Sequence, residues 1–169
     1  MRGPCTIRTG NDALAHATVD DITHLTEAAT GATFYRDDLT EAQRAANRRI
    51  VDISAPTVLA ACERANQHFA AAFVDGRFAG YVIATLHAEN DRELDWLMVH
   101  PDFHGTDVAP QLMQAGIAWL DPMRPMWLNV IRHNERAIRF YRRFRFEIDP
   151  NATTNHIVPH VIMRRAPTP

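Results

Sequence analysis

The stretch that decides the fold is WLNVIRHNERAIRFYRRFRFEI, Trp127 to Ile148. Trp127 to Ile131 is short, apolar and β-branched, the composition of a buried strand. Asn134 then offers a side-chain oxygen to the orphan N–H groups of a helix that begins at Glu135, and the pattern predicts that helix to about Phe144. Asn134, Ala137, Ile138 and Tyr141 recur at the spacing that shares one face, while Arg136, Arg139, Arg142 and Arg143 occupy the rest. An amide and a phenol therefore stand on an apolar helix face. Taken alone, the pair also suits a plain cap and a packed tyrosine.

Upstream lies ELDWLMVHPDFHGTDVAPQLMQAGIAWL, Glu93 to Leu120. Glu93 to Val99 predicts a strand with Leu94, Trp96 and Met98 on one side and Glu93, Asp95, Leu97 and Val99 on the other. Two acids on an otherwise apolar face imply that this face opens onto a cavity or water. A turn containing Gly105 follows. Val108, Leu112, Ile117 and Leu120 then mark an amphipathic helix with Pro110 in its first turn, and Asp107 is placed to cap it. A strand that feeds a glycine-containing loop and a helix N-terminus presents backbone N–H groups and the positive end of a dipole to an anion.

In this order the two segments resemble the Gcn5-related N-acetyltransferase (GNAT) superfamily. Its last motif, a strand followed by Asn, Ala, Phe-Tyr and Gly-Phe, is matched by Asn134, Ala137, Phe140-Tyr141 and Phe146, with Arg145 at the usual glycine. Its coenzyme A signature, Arg/Gln-x-x-Gly-x-Gly/Ala after a Leu-x-Val-x-Pro strand end, is matched at Leu97, Val99, Pro101 and Ala109. His104 replaces the Arg or Gln, and Asp107 replaces the central glycine. The resemblance implies an acyl-coenzyme A co-substrate and a general acid, Tyr141, that protonates the leaving thiolate. It implies cofactor contacts from the backbone of Leu97, Met98 and Val99, from the loop residues His104, Gly105, Thr106, Asp107, Val108, Ala109 and Pro110, and from Asn134 on the pantetheine arm. Many relatives carry a basic glutamate on the strand Trp127 to Ile131, where this chain has Asn129. Others place it on the strand before the loop, which makes Glu93 the expected base and Asp95 the second choice. Both acids equally suit binding of a cationic substrate or plain solvation.

The fold this implies is mixed α/β: a mostly antiparallel sheet of six to seven strands, splayed in the middle and flanked by helices. Outside the two motifs, Cys-Thr-Ile-Arg predicts an edge strand, and helices are predicted near Val19 to Ala29, Thr40 to Ile50, and Pro56 to about Gln67. His68 to Val74 and Arg77 to Ala88 read as a hairpin about Asp75-Gly76, and His156 to Met163 as the last strand. One domain is expected over residues 1–165, with residues 166–169 frayed.

The 169 residues are 46% hydrophobic with a formal net charge of −2, and no charge bias points to nucleic acid. Cys5 and Cys62 give neither a disulfide framework nor a metal spacing, so a reduced cytoplasm is the expected compartment. No signal segment or membrane span is read from the chain. The nine histidines lack a ligand spacing, and no metal is expected. The expected partner is an amine, on a small molecule or a peptide, with a homodimer left open. Two functions follow: N-acyl transfer, or a GNAT-fold binding module that has left acetyl-coenzyme A behind or uses another donor or reaction.

Overall fold

The hairpin about Asp75-Gly76 forms as its sequence predicts, since both residues take positive φ, 51° and 76°, the backbone of a two-residue turn that favours Asp-Gly. The computed structural model of the chain describes residues 3–169. In chain order it contains β1 (Cys5–Thr9), α1 (Gly10–Leu14), α2 (Val19–Phe34), α3 (Glu41–Glu63), β2 (Gln67–Val74), β3 (Arg77–Ala88), β4 (Asp91–Val99), α4 (Val108–Leu120), β5 (Met126–Ile131), α5 (Glu135–Arg142), β6 (Glu147–Ile148) and β7 (His160–Arg165), with a 3-10 turn at Pro101–Phe103. The strands lie in one sheet ordered β1-β2-β3-β4-β5-β7-β6. Every pairing is antiparallel except β4 with β5.

Alternation along the strands builds a core on each face. On one face Val82, Leu94 and Val99 meet Leu112 and Met113 of α4, Ile138 and Tyr141 of α5, and Phe146. On the other, Phe69, Tyr81 and Ile83 meet Ile22 and Leu25 of α2 and Val58 of α3. Among the described residues, no helix is long and apolar enough to cross a membrane.

The helical half departs from its sequence reading. The two helices expected around Thr40 to Ile50 and Pro56 to Gln67 are one, α3, with Pro56 inside it. Proline there removes a backbone bond and works against the helix by about 3 kcal/mol. Val51, Ala55, Val58 and Ala61 nevertheless keep one buried face continuous through it, and that burial outweighs the local penalty. The short α1 has no counterpart in the sequence reading, α2 runs five residues beyond Ala29 to Phe34, and the last strand starts at His160 rather than His156. At the chain end, the Thr168 N–H donates to the Pro122 carbonyl at 2.8 Å.

The helix expected to reach Phe144 stops at Arg142. Arg145, at the glycine of the resembled motif, takes φ 67°, and the turn closes with Arg145 N–H on the Arg142 carbonyl and Phe146 N–H on the Tyr141 carbonyl. A side chain in that left-handed region costs about 1–2 kcal/mol, part of which glycine returns as unfolded-state entropy. Arg145→Gly is therefore expected to stabilise the fold by about 0.5–1 kcal/mol, read as a rise in the urea midpoint with unchanged slope. A lower midpoint would mean that the arginine side chain holds the turn.

Candidate active site

The sheet parts where β4 and β5 diverge. The two strands run parallel and are paired only at Glu93 with Trp127, so beyond that point the β5-facing amides of β4 have no ladder partner in β5. This free edge includes Leu97 to Val99, a place where backbone N–H groups can meet a carbonyl oxygen.

A bulge lies beside the split. Opposite β3, Leu94 pairs with Ala84 and Trp96 with Ile83, leaving Asp95 as the extra residue. The expected alternation of Leu94, Trp96 and Met98 on one side is therefore overturned. Leu94, Leu97 and Val99 pack on the α4 and α5 face, whereas Trp96 and Met98 pack on the α2 and α3 face. Glu93 pairs with Thr85, one residue from Ala84, so it faces α2 and α3. Asp95 shares that face, accepting from Thr85 Oγ1 at 3.4 Å.

Glu93 is 8% exposed. Burial, with Asp95 next to it, pushes its carboxyl up to about 7 against the pull of His87. His87 Nε2 lies 2.7 Å from Glu93 Oε2, and its ring stacks on Trp127 with centroids 6.0 Å apart. Burial also raises the Asp95 carboxyl. Two amide oxygens, Gln67 Oε1 and Asn129 Oδ1, are buried without a hydrogen-bond partner among the described residues. Sequence reading missed His87, because it is the extra residue at a second break in the β3–β4 register, between Leu86 and Ala88, which the β3 sequence does not reveal.

On the opposite face stands Tyr141, 9% exposed, with its ring centroid 5.7 Å from Phe140 and 6.4 Å from Phe146. Its hydroxyl makes no hydrogen bond among the described residues. Burial pushes it up to about 12, so it carries its proton at neutral pH and can donate it. Asn134 caps the same helix through Oδ1, accepting the Ala137 N–H at 3.2 Å. It also lines a cleft of about 450 Å³ between the end of α2 and the start of α5, with Thr33, Arg36, His133 and Arg136 among the walls.

The loop after β4 is open at Gly105, where φ is 76° and the space that a methyl group would occupy has no atom within 4 Å. Asp107 does not cap α4 as expected: it has helical backbone angles and no capping bond. Thr106 Oγ1 accepts the Val108 N–H instead, at 3.3 Å, and the Asp107 carboxylate accepts from the Gln111 side-chain amide. His104 brings in a charge that the motifs do not reveal, since its Nδ1 faces Arg136 Nη1 at 2.8 Å. The imidazole is held below its ordinary value by burial and by that guanidinium, against a hydrogen bond with the Val99 backbone. A neutral His104 thus orients Arg136 of α5 at the loop where the resembled signature has arginine or glutamine. Open backbone at Gly105, the N-terminus of α4 and a guanidinium fit a diphosphate, whereas the Asp107 carboxylate opposes one.

His156 and His160 lie together beside a separate cleft with Arg132 and Thr154. Their rings stack at 4.0 Å, and among the described residues no three His, Cys, Asp or Glu side chains converge as a metal site.

Comparison with known proteins agrees with this architecture. Uncharacterized N-acetyltransferases of Mycobacterium tuberculosis and Mycobacterium bovis are 36% identical over 81 residues, 47% of this chain and 52% of theirs. The match thus spans about half the length of these curated relatives. The PaiA N-acetyltransferase of Thermoplasma acidophilum, solved in complex with coenzyme A, superposes with TM-score 0.72 at 18% identity, over 96% of this chain and 99% of that one. Ard1 of Thermoplasma volcanium gives 0.63 at 19% identity, over 98% and 99%. At these identities the likeness is one of fold. The acetyltransferase (GNAT) family model matches residues 29–146, most of the chain and both motif segments, and the chain belongs to that family.

Proposed function

We propose that this chain is an acyl-coenzyme A-dependent N-acyltransferase, with acetyl the favoured acyl group and an amine of a small molecule or peptide as acceptor. The observation that carries this reading is that β4 and β5 part just beyond Glu93, a buried carboxyl of near-neutral pKa, while a buried, protonated phenol, Tyr141, packs on the opposite face of the sheet. The thioester lies in the parting, its carbonyl toward the free amides near Leu97 to Val99. The loop from His104 to Pro110, with Arg136 added, takes the diphosphate, and Asn134 meets the pantetheine arm.

Glu93 takes a proton from the amine, directly or through a water, and the neutral nitrogen attacks the carbonyl carbon. As the carbon–sulfur bond breaks, the nitrogen, positive after the attack, gives up its second proton to solvent, and Tyr141 gives its own proton to the sulfur, regaining one from solvent. The amine enters from the α2 and α3 side, where Glu93, Asp95 and the unpartnered oxygens of Gln67 and Asn129 offer acceptors to an ammonium group.

The alternative, a binding module without acyl transfer, is favoured only by Asp107 in the loop. A thermal-shift titration with coenzyme A and acetyl-coenzyme A separates the two, because a ligand that binds the native state alone raises its apparent stability. Stabilisation by both, together with thiol release across an amine panel, supports transfer; no stabilisation at millimolar ligand supports the module. Asp107→Gly is expected to tighten coenzyme A by about 1 kcal/mol, roughly fivefold, through removal of one exposed like charge. Calorimetry at low and high salt checks this, the gain shrinking as salt screens the charge.

A further inference from the structure

Four side chains meet at the last β4–β5 pairing before the sheet opens. Asp91 Oδ1 accepts the Trp127 indole N–H at 2.7 Å, the Trp127 ring stacks on His87 at 6.0 Å and 20°, and His87 Nε2 sits 2.7 Å from Glu93 Oε2. Trp127 is itself the residue paired with Glu93. The chain Asp91, Trp127, His87, Glu93 thus links β4, β5 and β3 at the root of the split.

We propose that His87 is the positioning residue of the base: held by its stacking on Trp127, it donates its Nε2–H to Glu93 Oε2 and leaves Oε1 as the oxygen that receives the amine proton. This role rests on the proposed function of Glu93 as base. An ionised carboxylate only accepts hydrogen bonds, so the shared proton belongs to the imidazole. The burial of the two groups differs in the same sense: the Glu93 side chain is 10% exposed and that of His87 41%, so His87 helps to solvate, from the water side, a carboxylate that meets little water itself. The charged groups acting on Glu93 are Asp95 and Asp91 from β4, which hold its proton on, and His87 from β3, which favours its release. Without His87 only burial and the two aspartates remain. The carboxylate then ionises at higher pH and is free to rotate away from the split.

The test uses His87→Phe, which keeps a ring on Trp127 but removes the donor, and His87→Gln, whose side-chain amide can restore it. The Glu93 carboxyl is titrated by its carbon-13 NMR signal in each protein, and kcat and KM are followed against pH with acetyl-coenzyme A and an accepted amine. A charge-assisted hydrogen bond is worth about one pKa unit or more. His87→Phe is therefore expected to move both the NMR midpoint and the pH–rate midpoint upward by that amount. It should lower kcat roughly tenfold at neutral pH, change thioester KM little, and recover only in part at high pH, the remaining loss reporting the carboxylate's lost orientation, with His87→Gln lying near wild type. An unmoved NMR midpoint in a folded His87→Phe protein would overturn the proposal whatever the activity. A moved NMR midpoint with an unchanged rate profile would instead overturn the positioning role by showing that His87 tunes Glu93 but that Glu93 is not the base.

Discussion

Tyr141→Phe is expected to lower kcat by about 10²- to 10⁴-fold, the span of general acid catalysis, while the affinity for coenzyme A stays within a few-fold of wild type. Tyr141 is buried among Phe140, Ile138 and Phe146, so phenylalanine fills the same space and the fold is kept. Its hydroxyl has no hydrogen-bond partner to lose among the described residues. In most buried tyrosines the deletion would strip a hydrogen bond from the core; here the loss falls on the leaving thiolate alone. Steady-state kinetics with direct calorimetry of coenzyme A separates the two effects, and wild-type turnover in the variant would assign Tyr141 to packing.

Glu93→Gln is expected to reduce kcat by a comparable factor, about 10²-fold or more, and to abolish the rise of rate through pH 7 that the wild-type protein should show. The sign follows from a folded-state value of about 7 against 4.5 for a free carboxyl. Below 7 the buried group keeps its proton and cannot accept another; above 7 it is ionised and competent. The same shift acts on stability in the opposite direction. Between about 4.5 and 7 the folded state holds a proton that the unfolded chain has released, so this group's contribution to stability falls as pH rises through that window. Glutamine has no charge to bury, so the variant should match wild type in stability near pH 4 and exceed it above pH 7, by on the order of 2–3 kcal/mol. Urea denaturation at the two pH values measures this. A variant less stable at pH 8 would indicate that the ionised carboxylate is well solvated in the fold.

The elements carrying the chemistry are those the sequence makes legible, for local reasons. Asn134 announces a helix by capping it, Asp75-Gly76 announces a hairpin by its φ angles, and the strand, loop and helix about Gly105 follow from hydrophobic period. What cannot be read is set by tertiary contact. Pro56 looks like a boundary until the continuous face of Val51, Ala55 and Val58 is seen against the sheet. The Asp95 bulge inverts the facing of half of β4, and no periodicity within that strand reveals it, because the extra residue is defined by its β3 partner. His87 and Arg136 escape sequence reading for the same reason. Each gains its role from a neighbour on another element, Glu93 across a strand pair and His104 in the loop after β4. Asp107 shows the converse, a good cap by composition whose carboxylate turns to Gln111 instead.

The central claim is that a coenzyme A thioester sits in the parting of β4 and β5 with Tyr141 at its sulfur, and a crystal structure of the coenzyme A complex tests it most directly. The thiol is predicted to lie between the two strands, within about 3.5 Å of the Tyr141 hydroxyl, with the diphosphate on the amides after Gly105 and beside Arg136. Coenzyme A bound elsewhere, or its sulfur out of reach of Tyr141 on the far side of the sheet, would contradict it.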